Sequence, residues 1–185
     1  LYARIDKGRM LFENKDGWIL KDGFNTRIKA ASWAKFSNIC AVSVTPGVRY
    51  SEEDIDIGIE DAHVRINPEN WNTEYAIGRT SMWWGPGFHG SVLMTDNAFP
   101  MDTLRINNIW PFRLPWVFKK MGRWSGTWFI SRLEKKFNPS HPIFTGWKLD
   151  YIPAEFLKLG VGHILMFGGK GVNMYSIHDF IGNSS

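Results

Sequence analysis

Cysteine is almost missing from this 185-residue chain: Cys40 stands alone, so no internal disulfide can form. Its neighbours Asn38, Ile39, Ala41 and Val42 read as strand, the setting of a small buried or lipid-facing residue and not of a nucleophile. No apolar run approaches the ~20 residues that a membrane-crossing helix needs. That excludes a helical membrane protein but leaves a membrane β-barrel open, because inward polar residues offset outward apolar ones. The histidines His63, His89, His141, His163 and His178 lack metal-ligand spacing, so no metal is expected. No Gly-x-Ser-x-Gly elbow is present. Gly85, Gly87 and Gly90 are irregularly placed with no Gly-Lys-Ser/Thr behind them, which excludes a phosphate loop. A net charge of +4 spread along the chain does not suit nucleic acid. Leu1-Tyr2-Ala3-Arg4-Ile5 offers neither an initiator Met nor an apolar signal core, as expected of a mature or excised segment.

What the chain does have is aromatic surface. Ten Trp, thirteen Phe and five Tyr make up 15% of it, suiting a sugar-binding face, an interfacial girdle or a large mixed core. Period-two alternation dominates. Thr26, Ile28, Ala30, Ser32 and Ala34 alternate with Arg27, Lys29, Ala31, Trp33 and Lys35. Cys40, Val42 and Val44 follow, with Pro46-Gly47 predicted as the stop. His63 to Asn67 and Trp71 to Arg79 form two strands joined through Pro68-Glu69-Asn70. Leu104 and Ile106 alternate with Thr103, Arg105 and Asn107. Leu157, Leu159, Val161, Leu165 and Phe167 share one face of a late strand, and Lys158, Gly160 and Gly162 share the other.

Runs of about 7–12 residues match a tilted spanning strand of ~9–11, and they also match a soluble barrel or sandwich. At ~18 residues per strand and connection, the chain holds about eight to ten strands. No fixed-period repeat or low-complexity linker divides it, so residues 1–185 read as a single unit. Trp116 to Met121, following Pro111 and Pro115, is the one candidate for a short helix, or else an extended connector.

The most unusual stretch is Trp83-Trp84-Gly85-Pro86-Gly87. On a strand, adjacent residues face opposite sides, and Gly-Pro-Gly cannot continue as regular sheet. The tryptophans are therefore either a packing corner or a stacking platform for sugar rings, with His89, Asp96 and Asn97 supplying directional hydrogen bonds. Asp96-Asn97 also suits plain turn chemistry. Glu60-Asp61, Asp96, Asp102 and Glu134 offer carboxylates for glycoside hydrolysis, but sequence alone sets no pair at the required separation. Arg79, Arg105 and Arg132, with Glu134, read as charges of a hydrated interior, either bracing one another or meeting an acidic polysaccharide.

Taken in order, several segments resemble the Wzi capsule assembly family. They are Ile77-Gly78-Arg79, the 83–87 stretch, Gly90 to Ala98 including Asp96-Asn97-Ala98, and Ile130-Ser131-Arg132-Leu133-Glu134. Pro153, Leu157 to Gly162 and Met166-Phe167-Gly168-Gly169 are similar to that family's late strand and turn, and Gly23 to Arg27 to its upstream strands. The resemblance implies an all-β, antiparallel outer-membrane β-barrel of a Gram-negative bacterium. It implies a cofactor-free lectin, not an enzyme, that binds capsular polysaccharide and sits in outer-membrane lipid as a monomeric barrel. The chain departs from the pattern in lacking a secretion signal and in being short for the family's barrel. The expected fold is therefore a partial or open barrel with two unpaired edges. Two competing classes are a porin-like channel and a soluble carbohydrate-active β-sandwich or hydrolase. The sandwich would place apolar side chains on the inward face alone.

Overall fold

The computed structural model describes residues 2–6, 17, 21–84, 93–95, 99–135 and 138–171. Ten strands form one antiparallel sheet. They are β1 (Tyr2–Asp6), β2 (Gly23–Lys29), β3 (Ser32–Lys35), β4 (Cys40–Ser51), β5 (Asp54–Ile66), β6 (Glu74–Thr80), β7 (Met101–Asn107), β8 (Arg123–Arg132), β9 (Ile143–Ala154) and β10 (Leu157–Phe167). From β4 onward each strand pairs with its neighbours in sequence. β2 and β3 lie end to end along β4, and β1 adds to β2. β1 and β10 are the edges and do not pair with each other, so the sheet is open.

The alternation read from the sequence is the organising feature. Residues directly opposite one another across an antiparallel pair share a face. The register therefore places Ile28 with Val48, Val48 with Ile57, Ile77 with Leu104, Ile130 with Thr145, and Leu149 with Val161 on one side. That side is apolar and open: Ile57 is 74% exposed and Val161 56%. The opposite side carries Asn25, Arg27, Glu60, His63, Thr103, Ser131 and Asp150, all buried. The face that would be the core of a soluble sandwich is here the outside. Hereafter the exposed apolar side is the outer face and the other is the inner face.

Two expectations are corrected. β4 does not stop at Pro46-Gly47 but runs through to Ser51. Proline is tolerated there because the pairing with β5 slips between Thr45 and Pro46, leaving Glu60 as the extra residue of a bulge. Trp71 lies in a connection and not in a strand. Asn70 adopts a left-handed φ of 64°, and the Trp71 amide closes a turn onto the Pro68 carbonyl at 3.1 Å, so pairing resumes only at Glu74. The Trp116 candidate is a short 3-10 helix, Trp116–Met121.

Candidate functional site

The stretch after β6 folds back onto the inner face. Trp84 and Met94 bridge each other, with the Trp84 amide donating to the Met94 carbonyl at 2.9 Å. The Trp84 indole meets the Phe129 ring edge-on at 5.3 Å, and Phe129 meets Phe144 in the same way at 5.3 Å. Met82, Met94 and Trp84 bury against Phe129, with Leu93, Met101, Phe144 and Ile164 around them. This apolar cluster sits within the polar inner face.

Small residues make room for it. A Cβ at Gly146 would stand 2.9 Å from both the Phe129 ring and the Ile164 side chain, and one at Gly162 would stand 2.9 Å from Leu93. Both glycines face inward, so β9 and β10 form a shallow floor on which the segment rests. The tryptophan pair splits by burial: Trp84 is buried, and Trp83 is 38% exposed. Trp84 is the packing corner of the pair. His89, Asp96 and Asn97, with Gly85, Gly87 and Gly90, lie outside the described residues.

The inner face of β2, β4 and β5 carries a dense charge cluster. Glu60, 3% exposed, accepts from Arg27 Nε at 2.8 Å and from Arg27 Nη2 on its second oxygen. Arg49 Nε donates to it at 3.2 Å, and Lys29 Nζ lies 3.8 Å away. The bulge explains the position. It turns two consecutive residues inward, so Glu60 reaches the arginines and Asp61 reaches His63. Asp61 Oδ1 is 2.7 Å from His63 Nδ1, and Arg65 Nε donates to His63 Nε2 at 2.9 Å. The Arg65 bond makes Nε2 an acceptor, so the ring proton is on Nδ1 and is donated to Asp61.

This arrangement decides what the carboxylates can do. An Asp–His pair orients a general base when the second ring nitrogen faces a reactant. Here Arg65 occupies that nitrogen. Glu60 is tied to two guanidinium groups. Asp102 accepts both Arg79 Nε and Nη2 at 3.0 Å, and Glu134 lies 3.9 Å from Arg79. Four of the carboxylates picked out from the sequence thus sit against a cation or a cation-held histidine, and the fifth, Asp96, lies outside the described residues. Among the described residues no three His, Cys, Asp or Glu side chains converge as a metal site would require.

The arginines fall into separate places. Arg105 is inward on β7, 3.6 Å from Glu74 of β6. Arg79 and Glu134 come together with Asp102 where β6 and β8 end. Arg132, the last residue of β8, is exposed and opposite Ile143 on the outer face. The register puts Arg79 and Asp102 on that face too, beside Ile77 and Leu104. Of the three arginines expected in a hydrated interior, Arg105 alone faces inward, because the other two stand at strand ends one residue out of step with it. The Phe99 ring lies between Arg49 and Arg79, whose guanidinium carbons are 5.1 and 5.4 Å from its centroid. Glu60 was named from sequence only as one of several acids. Its role had a legible signal: Asp54, Asp56, Gly58 and Glu60 alternate, and Asp61, His63 and Arg65 resume one residue out of phase.

An open antiparallel sheet with an apolar outer face and a charged inner face, on which Met82, Trp84 and Met94 pack, defines a segment of β-barrel wall. Residues 6–184 match the family described as capsule assembly protein Wzi, and the chain belongs to that family. It is 28% identical over 104 residues to an uncharacterized 55.8 kDa protein in the cps region of Klebsiella pneumoniae, covering 55% of this chain and 20% of that one. Its fold is similar to that of Wzi of Escherichia coli, described as an outer membrane protein involved in group 1 capsule assembly and a carbohydrate binding β-barrel. The TM-score is 0.71 at 21% identity, over 85% of this chain and 35% of that one. The chain therefore spans about a fifth to a third of the length of these two relatives.

Proposed function

We propose that this chain is wall of an outer-membrane β-barrel that binds capsular polysaccharide without catalysis and helps hold it at the cell surface. The observation that carries the membrane half is the inverted burial of the strands. Isoleucines, valines and tryptophans stand open on one face while Arg27, Glu60 and His63 are buried on the other. Lipid rewards that arrangement and water penalises it. An open sheet edge cannot stand in lipid, so β1 and β10 pair with further strands in the working protein. Family membership and the carbohydrate-binding relative support the polysaccharide half.

The sugar-facing surface is assigned to Trp83, with His89, Asp96 and Asn97 as hydrogen-bonding partners and Trp84 as the anchor behind it. Tying up Glu60, Asp61, Asp102 and Glu134 favours binding over hydrolysis. The inward Trp84 cluster favours a filled interior over the open lumen of a porin-like channel. The test is saturable binding of capsular polysaccharide to detergent-purified protein, beside the Trp83→Ala and Trp84→Ala variants. Loss of binding in folded Trp83→Ala supports the assignment. Unchanged binding in that variant removes Trp83 from the site, and a folded parent that binds no capsular polysaccharide overturns the lectin reading.

A further inference from the structure

The Trp83 segment belongs to one end of the strands. The connections at the other end, 36–39, 67–73, 108–122 and 155–156, hold a second group of exposed aromatics. Its centre is Trp110, whose backbone is clamped from two sides. Asn72 of the β5–β6 connection donates from Nδ2 to the Trp110 carbonyl at 2.6 Å and accepts the Trp110 amide on Oδ1 at 2.8 Å. Asn108 donates to the same carbonyl at 2.6 Å, while its Oδ1 accepts the Gly126 amide of β8 at 2.5 Å. Both backbone groups of Trp110 are thus fixed to neighbouring elements, yet its indole is 73% exposed. Trp71 adjoins the clamping Asn72 and is 61% exposed. Trp116 is 90% exposed and held at a φ of 60°, a left-handed backbone that bulky residues rarely adopt.

Large exposed rings on fixed backbone mark a ligand platform, because the cost of ordering them is already met before binding. The charges around the rings say which ligand. Segment 108–122, which carries Trp110 and Trp116, has Arg113, Lys119 and Lys120 and no acidic residue, against one carboxylate each, Glu69 and Glu155, in connections 67–73 and 155–156. We propose that Trp71, Trp110 and Trp116 form a second stacking platform for an acidic polysaccharide, whose carboxylates Arg113, Lys119 and Lys120 match. This rests on the polysaccharide-binding reading above and adds a contact at the opposite end of the strands from Trp83. A lipid headgroup is the weaker occupant. Tryptophans at bilayer depth belong on the outer face, where Trp124, Trp128, Trp147 and Tyr151 already stand in register. The platform rings instead rise from connections beyond the strand ends, and a fluid interface has no need of a clamped backbone.

The experiment titrates the detergent-purified protein with alginate, a polyuronate, and with neutral dextran, following tryptophan fluorescence. The same protein in bilayers containing brominated phosphatidylcholine reports whether the rings meet lipid. Alginate is expected to bind more tightly than dextran, with salt-sensitive affinity. Trp110→Ala should weaken it about tenfold, as for a central stacking residue, and Lys119→Gln/Lys120→Gln should flatten the salt dependence. Heat-modifiable mobility confirms that each variant is folded, and Asn72→Ala, which frees the clamp and keeps the ring, should weaken binding less. The proposal is overturned by equal affinity for alginate and dextran, by folded Trp110→Ala binding alginate as the parent does, or by loss of brominated-lipid quenching in that variant. A parent that binds its capsular polysaccharide at Trp83 while ignoring alginate overturns this platform and leaves the function above standing.

Discussion

On β5, Ile55, Ile57 and Ile59 stand in the open, while Glu60 and His63 a few residues away are buried. The same strand thus serves two environments, and its two faces obey opposite rules. The inner face is built like a protein interior whose contents are charges: each buried carboxylate described above has a cation or histidine partner, and Trp84 adds a small apolar centre. The outer face has exposed apolar side chains, with aromatic pairs such as Trp124 stacked on Tyr151 at 4.5 Å. In water, apolar groups are buried and charges exposed. The reversal is the ground on which the outer face is proposed to meet lipid and the inner face water.

The largest expected effect comes from breaking the inner face. Glu60→Leu leaves Arg27 and Arg49 without their shared carboxylate and should cost about 3–5 kcal/mol, as for removing one partner of a buried ion pair. Urea unfolding in lipid vesicles measures it, and adding Arg27→Met should recover much of the loss. Trp84→Ala removes the indole packed on Phe129 and should cost a similar ~3–5 kcal/mol. An unchanged unfolding midpoint would mean that the inward segment does not pack as described.

The outer face should fail differently. Leu104→Lys puts a charge on the apolar side at mid-strand and should cost ~2–4 kcal/mol in bilayers, with a far smaller effect in detergent. The smallest effects belong to exposed inner or loop groups. Asp56→Asn removes an exposed carboxylate 3.2 Å from Arg49, which keeps Glu60, and should change stability by less than about 1 kcal/mol. Trp83→Ala should be as mild in unfolding, with its effect appearing in polysaccharide binding instead.

Much of this contrast was readable beforehand. The alternations of β2, β3, β7 and β10 appear in the sequence and hold in the structure, because each side chain of a strand must choose a face. The ten strands agree with an expected eight to ten. The longest strands were cut short, since Pro46 reads as a stop unless its bulge opposite Glu60 is known. The Glu60 cluster itself depends on register, which brings Arg27 and Arg49 to one carboxylate from strands far apart in sequence. A split between Trp83 and Trp84 was expected from alternation, but its direction was not. Gly146 and Gly162, distant in the chain, decide that Trp84 turns inward. The Trp110 clamp was not legible, because nothing local says that Asn72 reaches across to it.

The two-face account is tested most directly along β9, which is paired on both sides. Cys40 is replaced by Ser, single cysteines are placed in turn at positions 143–151 other than Gly146, where a Cβ would crowd Phe129 and Ile164, and each carries a nitroxide in lipid bilayers. Collision with oxygen reports lipid, and collision with a water-soluble nickel chelate reports water. The account expects oxygen accessibility to peak at Ile143, Thr145, Trp147, Leu149 and Tyr151, with low values at Phe144, Lys148 and Asp150. Loss of the alternation, or nickel accessibility at Trp147 and Leu149, would contradict it and return the sheet to water.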